Sequence, residues 1–376
     1  MEKSKVYFTD FKVRAYGKNL TDKLKMLVLK AGLSDMDLEK KFVAIKMHFG
    51  EKGNLSFLRP NYARAIADLV YEKGGKPFLT DCNTMYPGFR KNALEHLYCA
   101  WENGFTPMTV NCPIIIGDGL KGTDDIEVPV VGGEYVKAAK IGRAIMDADV
   151  FISLTHFKGH EEASIGGAIK NIGMGCGSRA GKIEQHTSGK PFIAEKKCRG
   201  CRICQKECAN GGLVFDAEAK KMHIDTEHCM GCGRCLGACN FDAIQFSYDN
   251  AVEMLNRRMV EYTKAVVDGR PCLHVTLVQD VSPYCDCHSE NDIPIIPDIG
   301  MFASLDPVAL DQACVDACRK EKPIPNSVLA NNLKKAGFTD LGDPFRNTTP
   351  KTEYESALAH GEKIGLGSRS YELITF

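Results

Sequence analysis

The sequence predicts an α/β fold, in which a mostly parallel sheet with flanking helices carries an inserted small α+β module. Two observations lead to this fold class. Short apolar runs alternate with segments of helical spacing, which is typical of a parallel sheet covered by helices. A cysteine-dense stretch interrupts this alternation, which resumes afterwards. We therefore expect the first part of an α/β domain at 1–188, the insert at 189–248 and the second part of the domain at 249–376.

The elements of the α/β domain follow from hydrophobic spacing and from residues typical of helix ends. Apolar runs predict strands over 41–49, 76–83, 108–119, 149–159, 271–281 and 293–300. Helical spacing predicts helices over 60–75, 89–105, 134–148, 251–269 and 306–320. In the last helix, Asp306 is positioned to cap the first turn and Pro307 occupies the first helical position.

The composition narrows the class of function. Lysine plus arginine and aspartate plus glutamate number 48 each, so the net charge gives no indication of a nucleic-acid partner. The first residues lack the pattern of a secretory signal, and no apolar run is long enough to predict a membrane span. We expect a soluble cytoplasmic protein that binds neither nucleic acid nor membrane. In such a protein, 17 cysteines favour reduced thiols that bind metal over disulfides.

Two cysteine runs share the spacing C-x-x-C-x-x-C-x-x-x-C. The first run is Cys198, Cys201, Cys204 and Cys208, and the second is Cys229, Cys232, Cys235 and Cys239. This spacing is typical of iron–sulfur ligands, and in the bacterial ferredoxin pattern the fourth cysteine of each run binds the other cluster. On that pattern, one [4Fe-4S] cluster takes Cys198, Cys201, Cys204 and Cys239, and the second takes Cys229, Cys232, Cys235 and Cys208. Four-cysteine zinc sites are the alternative, but they usually use paired rather than triple runs.

The segment that holds both runs resembles a two-cluster bacterial ferredoxin over about residues 190–248. Between the runs, an apolar patch, a polar turn and a second alternating segment predict a small hairpin. Ala209 and Asn240 stand where proline usually follows the fourth cysteine, a departure that removes no ligand. Two adjacent clusters indicate electron transfer with a soluble redox partner protein.

Polar residues collect after four of the predicted strands, and the carboxyl ends of parallel strands meet at one edge of the sheet, here called the rim. His156, Lys158 and His160 lie at the end of the strand over 149–159 and alternate along the chain, so they can share one face. We consider them candidates for catalysis, as acid–base groups, anion clamps or metal ligands. The alternative is a solvated polar loop.

Two further segments are candidates for binding at the rim. Glycines expose backbone amides to an anion, which makes Lys170, Asn171, Gly173 and Gly175 candidate cofactor-binding residues. Close packing of the backbone is the alternative explanation for these glycines. Cys285 and Cys287, followed by His288, suit a soft metal or a redox pair, and the alternative is two idle thiols. An additional metal or a flavin at the rim therefore remains open.

Several motifs together resemble a known family. They read "KMHFGEKGN", "TDCNTMYPG", "HFKGH…GGAIKNIGMGCGSRAGK", "CDCHSEND", "PDIGMFASLDPVALDQA" and "GLGSRSYELI". The chain resembles, over nearly its whole length, an uncharacterised iron–sulfur family termed domain of unknown function 362, which often carries a ferredoxin insert. This resemblance implies an α/β domain with a ferredoxin module and supplies no established reaction. A remoter likeness to the nickel-cofactor lactate racemase domain concerns the fold alone.

Three functions are compatible with these features. The first is an oxidoreductase in which two [4Fe-4S] clusters relay electrons to a rim site that binds an unknown small-molecule substrate. The second is a non-catalytic electron carrier or an iron–sulfur or metal maturation protein. The third is a non-redox enzyme, such as an isomerase, with structural or sensing clusters. Whether the protein is an enzyme therefore stays open at the level of sequence.

Overall fold

The main sheet of the protein contains eight strands. A computed structural model describes residues 3–186, 190–246 and 251–376. The strands lie in the order Tyr371–Thr375, Ser4–Asp10, Gly300–Ser304, Cys272–Val278, Val150–His156, Phe42–Lys46, Lys76–Asp81 and Ile114–Ile116. Gly300–Ser304 runs antiparallel to both of its neighbours, and the other pairings are parallel. The predicted fold class, an α/β protein with a mostly parallel sheet, is confirmed.

Helices cover both faces of this sheet, which explains why its central strand is buried throughout. Every residue of Val150–His156 is buried, as expected for a parallel strand with helices on both sides. One face packs against an apolar cluster that includes residues of Ala168–Cys176, Val252–Val267 and Pro307–Cys318. The other face packs against residues of Leu20–Lys30 and Pro60–Glu72. The buried faces of the helices therefore fix the orientation of the strand ends.

Three of the predicted helices match closely. Pro60–Glu72, Val252–Val267 and Pro307–Cys318 lie where hydrophobic spacing predicts them, and Asp306 accepts hydrogen bonds from the N–H groups of Val308 (2.8 Å) and Ala309 (3.0 Å). The other helices are Leu20–Lys30, Ala93–Glu102, Pro107–Val110, Arg143–Met146, Ala168–Cys176, Arg179–His186, Ile203–Glu207, Arg234–Ala238, Val328–Leu333, Pro344–Thr348 and Glu355–Lys363, with a 3-10 turn at Leu33–Asp35. Among the described residues, each helix is too short or too polar to span a bilayer.

Two predicted elements are wrong. The helix predicted over 134–148 is a strand, Ala138–Gly142, paired with Asp125–Pro129 and followed by the four-residue helix Arg143–Met146. Cross-strand pairing outweighs the helical propensity of this segment, and the burial of its side chains alternates as in a strand. The strand predicted over 293–300 is a loop in which Ile295 and Ile296 are buried, because Pro294 and Pro297 cannot donate to a sheet ladder. The strand that does form nearby is Gly300–Ser304.

A third element is shorter than predicted. The strand expected over 108–119 is limited to Ile114–Ile116 and is preceded by the short helix Pro107–Val110. The side chain of Thr106 caps this helix through the N–H of Thr109 (3.2 Å). Local capping therefore converts the first half of the apolar run into a helical turn.

The cysteine-rich insert forms two small antiparallel pairs and two short helices. Phe192–Ile193 pairs with Ile244–Gln245, and Leu213–Asp216 pairs with Lys221–Ile224 in the hairpin that the sequence predicts. The short helices Ile203–Glu207 and Arg234–Ala238 each end just before the fourth cysteine of a run. The predicted domain boundaries at 188–189 and 248–249 lie outside the described residues.

Candidate functional site

The eight cysteines of the insert form two groups, and each group contains the last cysteine of the other run. The thiols of Cys239, Cys201 and Cys198 lie around the buried Cys204. Those of Cys232, Cys229 and Cys208 lie around Cys235, with Cys204 of the other group also nearby. Burial, reinforced by the neighbouring thiols, raises the pKa of Cys204 to about 11 and of Cys235 to about 12. Four thiols in each group match the ligand number of a [4Fe-4S] cluster.

The backbone around the cysteines repeats between the two runs. Gly200 and Gly231 occupy equivalent positions and have φ angles of 65° and 69°, which favour glycine. Backbone N–H groups also point at sulfur: Met222 donates to Cys198 Sγ at 3.4 Å, and Ala243 donates to Cys239 Sγ at 3.3 Å. Such hydrogen bonds stabilise thiolate ligands of a cluster. The donor set and the backbone thus fit an iron–sulfur cluster in each group.

The half of the insert that carries the second cysteine run packs directly on the α/β domain. A Cβ atom on Gly237 would lie 2.1 Å from Nη1 of Arg179, and one on Gly233 would lie 2.4 Å from Ile183. Arg179 is fully buried and donates to the carbonyl oxygens of Thr84 (3.1 Å) and Lys121 (2.5 Å). This arginine therefore ties the helix Arg179–His186 to two loops at the surface on which the insert rests.

Apolar contacts and ion pairs complete this interface. Met85 and Ile183 belong to the α/β domain, yet they are members of the buried apolar cluster inside the insert. Two further contacts are ion pairs: Lys91 with Asp242 at 2.8 Å, and Lys121 with Glu207 at 2.7 Å.

A cavity of about 660 Å³ opens at the rim, where the four predicted loops meet. Each loop contributes to its lining, for example through His48, Tyr86, Lys158 and Cys285. These residues follow the strands Phe42–Lys46, Lys76–Asp81, Val150–His156 and Cys272–Val278, respectively. The carboxyl ends of adjacent parallel strands are the usual place for a ligand site.

His156 and Lys158 converge on a buried carboxylate that sequence reasoning missed. Asp286 lies 3.0 Å from His156 Nδ1 and 3.1 Å from Lys158 Nζ. His156 Nε2 lies 2.8 Å from the carbonyl oxygen of Gln279. Burial alone would raise the pKa of Asp286, but His156 and Lys158 hold it well below its usual value. Both ring nitrogens of His156 are engaged within the protein, which suits a positioning residue better than a proton donor to substrate.

His160 lies beside the two cysteines of the CDC segment. Potential ligand atoms of His160, Cys285 and Cys287 all lie within 4.8 Å of one another, as do those of Glu161, Cys287 and His288. The sequence predicts that these loops meet, but the contribution of Glu161 was missed because a single glutamate carries no spacing signal.

The two thiols differ in their surroundings. A hydrogen bond from Cys287, opposed by burial and assisted by Lys170 and Lys158, holds the pKa of Cys285 well below the usual thiol value. The Nζ atom of Lys170 lies 3.5 Å from Cys285 Sγ. The same hydrogen bond, together with burial, raises the pKa of Cys287 well above its usual range. The surroundings of the pair therefore favour the thiolate form at Cys285 and the thiol form at Cys287.

Most of the glycine-rich segment is a helix, Ala168–Cys176, rather than an anion-binding loop. The N–H groups of Ala168 and Ile169 donate to the carboxylate of Asp311 at 2.7 and 3.0 Å. A Cβ atom on Gly173 would lie 2.0 Å from the carbonyl oxygen of Met259. The amides at the start of the helix thus already donate to Asp311, and Gly173 allows the helix to pack closely on Val252–Val267.

The remaining residues of this segment hold the base of the cavity. Asn171 Oδ1 accepts a hydrogen bond from Lys46 Nζ at 2.7 Å, and Lys46 forms a buried ion pair with Asp81 at 3.1 Å. A Cβ atom on Gly175 would lie 2.3 Å from Lys46 Nζ. Of the four predicted cofactor-binding residues, Lys170 therefore reaches the thiols, while Asn171 and Gly175 support a buried lysine.

The fold and the cysteine groups define an α/β protein with a ferredoxin-like iron–sulfur module. More particularly, the chain belongs to the family described as Domain of unknown function (DUF362), whose family model matches residues 43–316. The structure and the family match agree with the resemblance seen in the sequence.

Curated relatives match shorter stretches. The indolepyruvate oxidoreductase subunit IorA of Thermococcus kodakarensis is 40% identical over 53 residues, which cover 14% of this chain and 8% of that relative. An uncharacterised ferredoxin of Methanocaldococcus jannaschii is 34% identical over 55 residues, or 14% of this chain and 71% of the ferredoxin. A thylakoid-associated protein of Synechocystis is 28% identical over 133 residues, covering 33% and 34% of the two chains.

A solved structure shows a distant likeness. The lactate racemase apoprotein from Thermoanaerobacterium thermosaccharolyticum aligns with 74% of this chain and 51% of its own, at 12% identity and a TM-score of 0.39. At that score the likeness carries no argument about function.

Proposed function

We propose that the protein is an iron–sulfur oxidoreductase in which electrons pass from the insert to the rim cavity. Cys198, Cys201, Cys204 and Cys239 would hold one [4Fe-4S] cluster, and Cys229, Cys232, Cys235 and Cys208 would hold the other. Bound clusters of this kind accept and release one electron each. The reacting substrate would be a small molecule in the cavity, whose volume of about 660 Å³ is typical of ligand sites.

The observation that carries this proposal is the position of Met85. This buried residue packs in the apolar cluster of the insert and also lines the rim cavity. The next residue, Tyr86, lines the cavity as well, and its hydroxyl accepts a hydrogen bond from Arg90 at 2.8 Å. Met85 therefore belongs both to the apolar cluster that contains Cys235 and to the lining of the cavity, which supports electron passage between them.

We further propose that electrons enter at the first cysteine run from an acidic redox partner. Exposed basic residues surround this run: Lys196, Lys197, Arg199, Arg202 and Lys206. Glu195 is exposed nearby, whereas Glu207 is half-buried and paired with Lys121. A local excess of positive charge speeds the association of a negatively charged protein, and salt screens this effect.

The experiment follows reduction of the oxygen-free protein by a small acidic ferredoxin or flavodoxin in a stopped-flow instrument. The change is Lys196→Glu with Arg199→Glu, and the matched control is Lys12→Glu with Arg14→Glu, which alters the same charge at exposed positions far along the chain. We expect the first variant to slow bleaching of the cluster absorption about tenfold at low salt. The control variant should match the wild type, and high salt should reduce the difference.

A separate measurement tests whether the clusters are redox-active at all. Reduction with titanium(III) citrate should bleach the absorption with about one electron for each cluster and produce electron paramagnetic resonance signals. If the clusters stay oxidised under this reductant, the proposed function is wrong. If they are reduced but the charge reversal has no effect, only the proposed partner surface is wrong.

A second candidate function, metal maturation, is favoured by one observation. His160, Cys285 and Cys287 place three potential ligand atoms within 4.8 Å of one another. A protein of this kind would contain a further metal ion in addition to about eight irons, and that ion would be lost when both cysteines are replaced. The metal content of the Cys285→Ser, Cys287→Ser variant therefore separates the two functions.

A further inference from the structure

The segment Cys285-Asp286-Cys287, called the CDC segment, forms a tight turn at the floor of the cavity. It packs against the short hairpin formed by the strands Lys158–His160 and Ser164–Gly166. The N–H of His288 donates to the carbonyl oxygen of Cys285 at 3.1 Å, which closes the turn. The N–H of Gly159 donates to the carbonyl oxygen of Ser282 at 2.8 Å and joins the hairpin to the start of the segment. A Cβ atom on Gly159 would lie 2.7 Å from the carbonyl oxygen of Pro283. The two thiols are thus held in place by backbone contacts.

The thiols of Cys285 and Cys287 are close enough to exchange a bond. Their sulfur atoms lie within 4.8 Å of each other. A disulfide requires Cα atoms less than about 7 Å apart, a limit compatible with two residues separated by one position in a tight turn. The two thiols are therefore near enough for a bond between them to be tested.

Cations surround Cys285 and favour its thiolate. Lys170 Nζ lies 3.5 Å from the sulfur atom, and Lys158 is held nearby by Asp286 at 3.1 Å. Glu161 lies beside Cys287 and His288, and its carboxylate also accepts a hydrogen bond from the backbone N–H of Cys285 at 3.4 Å. A reactive thiol usually has this kind of positively charged surroundings, while its resolving partner does not need them.

The orientation of His160 distinguishes a thiol pair from a metal site. Its Nδ1 accepts hydrogen bonds from the N–H groups of Glu162 and Ala163, both at 3.0 Å. A histidine that binds metal through one nitrogen carries a proton on the other, which must face an acceptor. Here the other nitrogen faces two donors, so Nε2 carries the proton and can donate it to a thiolate. This arrangement favours a thiol pair over a metal ligand.

We propose that Cys285 and Cys287 form a dithiol–disulfide couple at the floor of the rim cavity, in which Cys285 is the attacking thiolate and Cys287 the resolving thiol. This inference rests on the proposed function, because reduced iron–sulfur clusters of the insert are the one-electron donors. In the reductive direction, two electrons and one proton break the sulfur–sulfur bond. Cys285 leaves as the thiolate beside Lys170, and Cys287 takes the proton.

The chemistry of the couple points to a low-molecular-weight disulfide as the substrate class. The Cys285 thiolate attacks one sulfur of the substrate, and the first thiolate product leaves. The Cys287 sulfur then attacks the Cys285 sulfur of the mixed disulfide, which forms the Cys285–Cys287 bond, and the departing second thiolate takes the proton that Cys287 gives up. His160 lies beside both sulfur atoms during these steps. Overall, two electrons pass from the insert to the substrate disulfide.

The test counts electrons and thiols in the protein with its clusters in place. Anaerobic protein is first oxidised with hydroxyethyl disulfide, desalted and titrated with titanium(III) citrate. We expect the wild type to take up about two electrons before the cluster absorption bleaches, since reducing a disulfide needs two. Cys285→Ser, which lacks the attacking thiolate, should bleach without this lag, and Cys272→Ser, which changes a half-buried cysteine outside the rim, should keep it.

Peptide mapping gives a readout that needs no variant. Alkylation after denaturation should leave Cys285 and Cys287 unmodified in the oxidised wild type and label both after cluster reduction. Cys314 and Cys318, which are also buried, should be labelled in both samples and serve as internal controls.

The outcomes separate this inference from the proposed function. If the clusters bleach with no lag and both thiols are still labelled after oxidation, the proposed Cys285–Cys287 disulfide is wrong. This result does not contradict the proposed electron transfer from the insert to the cavity. The disulfide could instead form, be reduced by a phosphine, and stay intact when the clusters are reduced. In that case the proposed electron transfer from the insert to the cavity is wrong, and the proposed Cys285–Cys287 disulfide is correct. One metal ion per chain in addition to iron, lost in Cys287→Ser, would replace the couple with a metal site.

Discussion

The insert and the rim of the α/β domain differ in how their chemistry is encoded. In the insert, both groups of cysteines come from one stretch between Cys198 and Cys239, and their spacing alone predicts the groups that the structure brings together. At the rim, Asn54 donates to the carbonyl oxygen of His288 at 3.0 Å although 234 positions separate the two residues. Ligands that are held by local turns can be recognised from their spacing in the sequence. A site that is assembled from distant strands can be recognised only when the fold is known.

The two regions also differ in how their charges are balanced. The thiols of the insert lie close together, which suits a positively charged iron–sulfur core. At the rim, several buried cations pair with carboxylates, as in Lys46 with Asp81 (3.1 Å) and Arg90 with Glu51 (3.0 Å). The insert therefore gathers thiols, whereas the rim balances these buried charges within the protein.

The largest expected effect tests the crossed grouping of cysteines, in which each group of four contains the last cysteine of the other run. Cys201→Ala with Cys239→Ala removes ligands from one group, so the protein should keep about four of about eight irons. Cys201→Ala with Cys208→Ala removes one ligand from each group within the same run, and nearly all iron should be lost. Iron and sulfide analysis of anaerobically purified protein distinguishes these outcomes.

A matched control for this comparison is Cys112→Ala, which changes a buried cysteine outside the insert and should leave the iron content unchanged. Equal iron in the two double variants would contradict the crossed grouping, even if both variants bind clusters.

An intermediate effect is expected at the contact between the two regions. Arg179→Met would leave the carbonyl oxygens of Thr84 and Lys121 without their buried donor. We expect the free energy of unfolding to fall by about 3 kcal/mol, because each unsatisfied buried group costs about 1–3 kcal/mol. Anaerobic urea unfolding followed by circular dichroism measures this change.

Arg143→Met is the control for this substitution, because Arg143 forms a half-exposed ion pair with Asp124 and should lose less than about 1 kcal/mol. A loss of equal size in both variants would mean that Arg179 does not hold the interface.

The smallest expected effect is the change with pH in the free energy of unfolding that comes from Asp311, which holds the start of the helix Ala168–Cys176. Burial, opposed by hydrogen bonds from Ile169 and Ala168, raises the pKa of Asp311 to about 7. The folded state therefore binds a proton that the unfolded state has already released, and this stabilisation is lost as the pH rises through 7. Between pH 6 and pH 8 the free energy of unfolding should fall by about 1.4 kcal/mol through this group.

Asp311→Asn should remove that contribution and keep one acceptor for the helix amides. The measurement is the difference in unfolding free energy between wild type and variant at each pH. A difference that does not change with pH would show that the carboxyl group is ionised across the whole range.

Local signals predicted the elements whose ends are set by their own residues. The helix Pro307–Cys318 begins where Asp306 and Pro307 indicate, because a side-chain cap acts within one turn. The segment 134–148 was predicted wrongly, because the partner strand Asp125–Pro129 decides its conformation. The edge strand Tyr371–Thr375 and its neighbour Ser4–Asp10 were missed for the same reason, since their pairing joins opposite ends of the chain.

The sequence by itself determined the fold class, the grouping of the insert's cysteines and the loops that gather at the rim. These features depend on spacing over a few residues or on the common direction of parallel strands. Only the tertiary structure decided which rim side chains meet, how Asp286 engages His156 and Lys158, and that Met85 joins the insert to the cavity. Such contacts depend on the packing of distant segments, and no local pattern of residues encodes the distance between them.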